Sequence, residues 1–209
     1  FMRDVLNDIV NYIVKEKCNL IRICGNGAGG KSYLTSILIK SLQENGICTN
    51  YLCTDDYLLD AYIRKNINSE VTNRRITANN PKSYFYPALK RDISMLKKHF
   101  TLITIYQGKL LDCDYRSISF IDGLGTAFLE KELFDLSIFI YSDKDTELEM
   151  RLQRDFEVRN IEKSKIMDDF ENRREEFEKI IQPLKTNFDV ILRNEINQII
   201  LEKVPGKME

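Results

Sequence analysis

Apolar residues recur along this chain with two different periods. Between Val5 and Val14 they fall every three to four positions, as on one face of a helix, whereas the run Leu20 to Cys24 is largely apolar, as in a short buried strand. The pattern predicts helices at residues 2–17, 31–44, 88–99, 146–158 and 164–181, and strands at 20–24, 48–53, 101–106, 117–121, 136–141 and 188–192. Because strands alternate with helices, we expect an α/β fold with a doubly wound, mostly parallel sheet and helices on both faces.

Residues 2–209 are predicted to form a single domain. A chain of 209 residues with 43% apolar side chains can fill one sizeable core. The polar segment from about residue 58 to 90 interrupts the alternation and is interpreted as a loop-rich insertion. The amphipathic helix at the start either covers the sheet or serves an interface in a homo-oligomer. Phe1 precedes a methionine, so we expect the natural chain to start at Met2.

Charge and hydropathy narrow the class of partner. The 31 lysines and arginines nearly balance the 32 aspartates and glutamates, which gives a net charge of -1. Proteins held to nucleic acid or to an anionic membrane by charge carry a basic excess, so neither partner is expected. No apolar stretch approaches the ~18 residues of a membrane span. A small-molecule partner is therefore favoured.

The cysteines indicate a reducing compartment. Their positions are Cys18, Cys24, Cys48, Cys53 and Cys113. They are scattered, and none forms a C-x-x-C pair. An odd number of cysteines without a signal peptide is typical of a cytoplasmic protein with free thiols.

The segment between the first predicted strand and the next predicted helix matches the phosphate-loop pattern G-x-x-x-x-G-K-[ST]. Its residues are Gly25, Asn26, Gly27, Ala28, Gly29, Gly30, Lys31 and Ser32, and Tyr33 follows them. Glycines let backbone N–H groups turn towards phosphate oxygens, and the N-terminus of the helix adds positive charge. In this pattern the lysine reaches the β- and γ-phosphates and the serine hydroxyl ligates Mg²⁺. The loop therefore predicts a nucleoside triphosphate site.

Three aspartates directly follow predicted strands. Asp55 and Asp56 come after the second strand, and Asp122 comes after the strand at 117–121. Ligands of open parallel sheets bind beyond the carboxyl ends of the strands, so we expect all three to face the phosphate loop. A carboxylate there holds Mg²⁺ or accepts the proton of an attacking hydroxyl. The alternative for each is an ordinary solvated turn.

Two arginines are predicted to share one face of the helix at 146–158. Arg151 and Arg154 are three residues apart, and their guanidinium groups can close over a transferring phosphoryl group. The alternative is a charged surface helix in which they pair with Glu147 and Asp155, and spacing alone favours that alternative.

The order of these motifs resembles that of uridine kinases and their relatives, which include phosphoribulokinase and the bacterial type of pantothenate kinase. The resemblance covers residues 20–192. It is carried by the phosphate loop, by Thr54-Asp55-Asp56-Tyr57, by Phe120-Ile121-Asp122-Gly123, by the stretch from Phe134-Asp135-Leu136 through Ser142-Asp143 to Gln153-Arg154-Asp155, and by Arg173-Arg174-Glu175-Glu176-Phe177 with Ile181-Gln182-Pro183.

This resemblance implies transfer of the γ-phosphoryl group of ATP, with Mg²⁺, to a hydroxyl of a small molecule. It makes Asp55 the general base and assigns the phosphates to Lys31 and to the arginines Arg151 and Arg154 of a helical lid at about 145–165. The lid role thus replaces the surface pairing as our interpretation. Ser32, with Asp122 or Asp56, would hold the metal. The predicted acceptor side comprises Asp55, Tyr57, Tyr84, Tyr106 and Arg159.

The acceptor side departs from uridine kinases, which place a histidine a few residues after the Tyr106 position. Here the segment is Gln107-Gly108-Lys109-Leu110-Leu111. Asn79 stands where an acidic residue often occurs, and the last arginine of the family's E-R-G-R sequence is missing after Arg159. Likeness favours the 5'-hydroxyl of uridine or cytidine as the acceptor. A kinase of pantothenate or of a sugar phosphate, and a non-catalytic ATP-binding regulator, remain as alternatives.

Overall fold

The computed structural model describes residues 2–104, 108–112, 114, 116–158, 160–196 and 198–206. The helices are α1 (Met2–Lys15), α2 (Lys31–Glu44), α3 (Ala61–Arg64), α4 (Tyr86–Lys97), α5 (Lys144–Arg151) and α6 (Lys163–Glu176). The strands are β1 (Leu20–Cys24), β2 (Thr49–Cys53), β3 (Leu102–Ile103), β4 (Leu110–Leu111), β5 (Ile118–Asp122), β6 (Leu136–Tyr141), β7 (Val190–Glu195) and β8 (Gln198–Lys203).

Six strands form the central sheet in the order β2-β5-β1-β6-β7-β8. The first five are parallel, and β8 returns antiparallel to β7 as the edge strand. This confirms the prediction of a mostly parallel α/β sheet. In the described part of the chain, no helix combines the length and apolarity needed to cross a membrane.

Alternating side chains of the strands divide the core between the two faces of the sheet. On β1, Ile21 and Ile23 pack with α1 and α2, whereas Leu20 packs on the opposite side with α4. The apolar face of α1 is buried in the first of these clusters, so it covers the sheet within the chain. A third cluster, around Phe139 and Phe177, lies beneath the chain that follows α6.

Strand register brings the carboxyl ends of three neighbouring strands together. Asp122, the last residue of β5, pairs with Ile23 of β1 and with Cys53 of β2. The phosphate loop follows β1 directly, and a 3-10 turn at Thr54–Tyr57 follows β2 directly. The sheet therefore places the loop, this turn and Asp122 at one edge.

Two predicted helices are interrupted by π-helical turns. The helix predicted at 146–158 divides into α5 and a π-helical segment, Leu152–Val158, and the helix predicted at 164–181 divides into α6 and a second one, Phe177–Ile181. A π turn inserts extra residues per turn, which periodicity counted at 3.6 does not reveal.

Two strand predictions differ from the structure at the chain's irregular parts. The strand predicted at 101–106 is reduced to β3, which pairs with β4 in a separate two-stranded sheet, while residues 105–107 lie outside the described chain. No element is predicted from the sequence after residue 192, whereas β7 continues to Glu195 and β8 follows it. Both hairpins depend on tertiary pairing more than on local pattern.

The insertion predicted at 58–90 is anchored to α6. It contains α3, a 3-10 turn at Pro81–Ser83 and the start of α4. The fully buried carboxylate of Glu176 accepts hydrogen bonds from the backbone N–H of Thr77 (2.8 Å) and from the Thr77 hydroxyl (2.6 Å). A charged acceptor with several donors holds this polar segment in place.

Candidate active site

The phosphate loop is held between the end of β1 and the residue that follows β6. Asn26 is fully buried, and its side-chain amide exchanges two hydrogen bonds with Ser142: Oδ1 accepts from the Ser142 N–H (2.9 Å) and Nδ2 donates to the Ser142 Oγ (3.0 Å). Gly25 has a φ of 150°, and a Cβ there would lie 1.6 Å from the Ile140 carbonyl oxygen. Only glycine fits this close approach.

Lys31 lies at the junction of the loop and α2. Its Nζ donates to the Asn26 carbonyl oxygen at 2.8 Å, so the side chain folds back across the loop. Helix α2 starts at Lys31 and has no acidic residue in its first turn, which leaves its N–H groups and positive end available to an anion. The loop thus lies between a strand, β1, and a helix, α2, as expected from the sequence.

Ser32 and Asp122 form an oxygen pair beside the loop. The Ser32 Oγ donates to Asp122 Oδ2 (2.8 Å), and the Tyr51 hydroxyl donates to the same oxygen (3.1 Å). Asp122 Oδ1 is buried and has no hydrogen-bond partner among the described residues. Burial raises the pKa of the Asp122 carboxyl, while Lys31 and the two hydroxyl donors act against that rise. A hydroxyl and a buried carboxylate with a spare oxygen suit a hard cation such as Mg²⁺, so these residues fit the predicted metal.

The two aspartates of the Thr54–Tyr57 turn differ in position. Asp55 is exposed and lines the cavity in front of the loop, whereas Asp56 is not among the lining residues. Burial and the neighbouring Asp55 raise the pKa of Asp56. The turn is tied to the strand end of Asp122 because the Gly125 N–H donates to the Thr54 Oγ1 at 3.2 Å. The structure therefore brings Asp55, but not Asp56, together with Lys31 and Asp122.

Arg151 and Arg154, the arginines predicted for a lid, both line the cavity, and their side chains have different partners. Arg151 is 8% exposed, and its Nε donates to Oε1 of Glu147 at 2.8 Å. Arg154 is half-buried and makes a bidentate pair with Asp155, at 2.7 and 3.0 Å. The pairs with Glu147 and Asp155 that the sequence suggested thus form, while both arginines still line the cavity.

The site residues surround one cavity of about 210 Å³. Its walls are Gly27, Ala28, Lys31, Ser32, Cys53, Asp55, Ala78, Asn79, Asp122, Gly123, Leu124, Arg151, Arg154 and Arg173. Cationic side chains outnumber carboxylates in this lining, which suits a polyanion accompanied by a cation. The same three arginines also line an adjacent cavity of about 250 Å³ formed with the start of α6.

Asn79 and Arg173 line this cavity, and neither was assigned a role from the sequence. Arg173 is contributed by α6, and the resemblance included it only as part of a motif. Asn79 is 3% exposed; its Nδ2 donates to the Thr77 Oγ1 and to the Arg173 carbonyl oxygen, both at 3.0 Å. Its Oδ1 is buried and has no partner among the described residues. A polar acceptor held this way is available to a donor, but nothing in local sequence periodicity reveals it.

Tyr57 and Tyr84, two of the tyrosines predicted for the acceptor side, are buried and do not line the cavity. The buried Tyr57 donates its hydroxyl to Asp92 Oδ2 (2.5 Å), and the buried Tyr84 donates to the Ala78 carbonyl oxygen (2.8 Å). Neither is among the lining residues, but Ala78, which accepts from Tyr84, is one of them. Tyr106 and Arg159 lie outside the described residues.

A second, more apolar cavity of about 480 Å³ lies at the other side of the loop. It is lined by Gly30, Tyr33, Ile140, Met150, Asn194, Glu195, Ile196, Gln198 and Ile199. Tyr33 is 60% exposed here, and Asn194 from β7 donates to the Gly29 carbonyl oxygen at 3.2 Å. The β7–β8 hairpin, which was not predicted from the sequence, therefore lies beside the loop.

Comparison with known proteins matches most of this chain to one family. The model of the family described as "Phosphoribulokinase / Uridine kinase family" matches residues 20–199. A uridine kinase of Ureaplasma parvum serovar 3 is 24% identical over 197 residues, with 88% of this chain and 93% of the relative covered. The matched region contains the phosphate loop, the three aspartates and the arginines of α5 and α6.

Solved structures share the fold at low sequence identity. A D-glycerate 3-kinase from Cryptococcus neoformans var. grubii superposes with a TM-score of 0.66 at 12% identity, covering 96% of this chain and 99% of that one. A phosphoribulokinase from Rhodobacter spheroides gives a TM-score of 0.61 at 15% identity, covering 85% of this chain and 70% of that one. At these identities the likeness establishes the fold alone.

Proposed function

This chain belongs to the phosphoribulokinase/uridine kinase family, and from this premise we propose that it transfers the γ-phosphoryl group of ATP to a hydroxyl of a small molecule, with the 5'-hydroxyl of uridine or cytidine as the first candidate. One observation carries the proposal. A single cavity gathers the phosphate-loop lysine Lys31, the oxygen pair Ser32 and Asp122, and the exposed carboxylate of Asp55. Donor, metal and acceptor functions thus have separate residues within reach of one another.

On the donor side, the loop binds the triphosphate and orients its terminal phosphorus. Backbone N–H groups and Lys31 neutralise the β- and γ-phosphate oxygens, and the α2 N-terminus adds to this field. Arg151 and Arg154 stabilise the charge that spreads over the phosphoryl oxygens in the transition state. When bound, Mg²⁺ would be held by Ser32 and Asp122 and would neutralise the charge that develops between the β- and γ-phosphates.

On the acceptor side, Asp55 is the proposed general base. Its carboxylate takes the proton of the attacking hydroxyl while the new oxygen–phosphorus bond forms and the bond from the γ-phosphorus to the bridging oxygen breaks, so that ADP leaves. The exposed position of Asp55 at the cavity mouth suits contact with an incoming alcohol. The buried Oδ1 of Asn79 can accept a hydrogen bond from a second donor group of the acceptor.

On the nucleotide side, the apolar cavity beside Tyr33 is the proposed base site. It adjoins Gly30, so a nucleotide whose phosphates lie in the loop can place its base between Tyr33 and the β7–β8 hairpin. Apolar Ile140, Met150 and Ile199 suit the faces of a purine ring, and Asn194 and Gln198 offer hydrogen bonds to its edge.

The choice of uridine or cytidine as the acceptor rests on likeness to the uridine kinase relatives. Kinases of pantothenate or of a sugar phosphate, and an ATP-binding regulator, are the rivals. An assay that couples ADP release to a spectroscopic signal tests these together, with ATP alone as the blank. If uridine or cytidine stimulates ADP release, the protein is a nucleoside kinase. If another alcohol does so instead, that alcohol is the acceptor. ATP binding without stimulation by any hydroxyl compound supports the regulator.

A further inference from the structure

Helix α5 buries a carboxylate that joins two arginines. Glu147 is 1% exposed and lies one helical turn before Arg151. Its Oε1 accepts from Arg151 Nε at 2.8 Å, and its Oε2 accepts from Arg174 Nη1 of α6 at 2.9 Å. A buried carboxylate is costly unless paired in this way, so its position is determined by both partners.

Through Arg174, this carboxylate is linked to the back of the phosphate loop. The same Nη1 of Arg174 donates to the Ser142 carbonyl oxygen at 3.0 Å. Ser142 in turn exchanges two hydrogen bonds with the side chain of Asn26, the second residue of the loop. Glu147 is therefore connected to the loop from behind, by Arg174, Ser142 and Asn26.

Through Arg151, the carboxylate is also linked to the front of the loop. The Arg151 guanidinium lies against Gly27, since a Cβ at that glycine would be 2.1 Å from Arg151 Nη2. The guanidinium is buried, and burial lowers the pKa of Arg151 while Glu147 opposes that change. A buried guanidinium without a counter-ion gains by turning out to water.

The two arginines depend on Glu147 to different degrees. Arg174 has a second carboxylate partner, Glu178, at 2.6 Å. In the described part of the chain, Glu147 is the only carboxylate paired with Arg151. Removing the charge of Glu147 therefore leaves Arg174 paired and Arg151 unpaired.

We propose that Glu147 is a positioning residue that holds the Arg151 guanidinium against the phosphate loop before the nucleotide binds, and that its effect on the reaction passes through Arg151. This rests on the proposed function only in that Arg151 contacts the phosphates. Arg154 pairs with its neighbour Asp155 and not with Glu147. Of the two arginines, Arg151 is therefore the one that Glu147 positions against the loop before the lid closes.

The test is a double-mutant cycle on the full chain, read by calorimetric Mg-ATP binding and, separately, by turnover. Glu147→Gln keeps the shape of the side chain and removes its charge; we expect about a tenfold loss of ATP affinity, the size of one charge-assisted hydrogen bond. In the Arg151→Met background the same substitution should change affinity by less than about twofold. Glu149→Gln, at an exposed position of the same helix, should leave affinity unchanged in either background.

An unchanged affinity in Glu147→Gln, or an equal loss in both backgrounds, would overturn the proposal, because Glu147 would then act on folding alone or through another residue. If Glu147→Gln does not fold, the cycle is repeated with Glu147→Asp, whose shorter side chain keeps the charge but does not reach both arginines; the same dependence on Arg151 is expected. Mg-ATP binding is measured without any acceptor. If the wild type binds Mg-ATP but shows no turnover, the proposed kinase function fails, whereas the test of Glu147 remains valid.

Discussion

The hydroxyl of Ser32 donates to Oδ2 of Asp122 across 2.8 Å, which joins the first turn of α2 to the last residue of β5. The two residues are 90 positions apart in the chain. The contact directs one carboxylate oxygen to the loop and leaves the other, Oδ1, buried without a partner among the described residues. The pair therefore connects the phosphate loop with the strand end that is proposed to hold the metal.

Asp122→Asn should raise the Mg²⁺ concentration required for half-maximal activity by on the order of a hundredfold, because it replaces a charged ligand by a neutral one. Tyr51→Phe removes only a hydrogen bond to the same carboxylate, and its effect should be about tenfold or less. Titration of activity with Mg²⁺ at fixed ATP measures both. Equal Mg²⁺ requirements in Asp122→Asn and the wild type would remove Asp122 from the metal site.

Asp55→Asn should abolish turnover while leaving ATP affinity nearly unchanged, since the amide cannot take the acceptor's proton. Asp56→Asn is the matched control, because Asp56 is adjacent in sequence but is not among the residues that line the cavity. Steady-state turnover and calorimetric ATP binding separate the two effects. Should Asp56→Asn be the inactive variant, the roles of the two aspartates would be exchanged.

Alanine substitutions at two glycines of the loop should affect different properties: Gly25→Ala should lower stability, and Gly27→Ala should lower ATP affinity. In Gly25→Ala, the new Cβ would meet the Ile140 carbonyl oxygen at 1.6 Å, and we expect a loss of roughly 3 kcal/mol or more in the free energy of unfolding. In Gly27→Ala, the clash is with the end of the flexible Arg151 side chain, so the fold should tolerate it while ATP affinity falls.

Denaturant unfolding and nucleotide binding, measured on both glycine variants, test this contrast. A Gly27→Ala protein with wild-type affinity would show that the position of Arg151 over the loop is not needed for binding.

Thiol reactivity should follow burial. Burial raises the pKa of Cys18 to about 12 and that of Cys24 to about 11, so few of these thiols ionise near neutral pH. Cys48 is exposed and should react with iodoacetamide before Cys18 and Cys24 do, as read by peptide mass spectrometry. Above the ordinary thiol pKa of 9.0, these thiols lose their protons in the unfolded chain but keep them in the folded protein. The free energy of unfolding should therefore fall as the pH rises above this value. Rapid alkylation of Cys24 in the folded protein would contradict this burial.

The parts of the site that the sequence predicts are those set by local chemistry. The phosphate loop requires glycines at tight turns followed by Lys31 and Ser32, and Asp55 and Asp122 directly follow strands whose carboxyl ends meet at one edge. Because Asp55 and Asp122 follow parallel strands directly, the predicted sheet places both at the edge where the loop lies, whereas Asp56, expected there for the same reason, does not line the cavity.

The remaining parts of the site depend on tertiary contacts that no periodicity records. In the sequence, Glu147 is one of several charged residues in a predicted helix. In the structure, it is buried between two arginines from different helices. Asn79 belongs to a polar segment that Glu176 fixes in space. The β7–β8 hairpin lines the apolar cavity beside the loop, although the sequence of β8 mixes polar and apolar residues without a clear strand pattern.

The most direct measurement of the central claim is calorimetric titration of the protein with Mg-ATP and Mg-GTP, in the wild type and in Lys31→Ala. We expect saturable binding of at least one nucleotide, and a loss of at least about tenfold in affinity when the Lys31 ammonium is removed. Lys40→Ala, an exposed position on the same helix, should bind as the wild type does. If the wild type binds neither nucleotide, or if Lys31→Ala binds equally well, then the loop at residues 25–32 is not a triphosphate site.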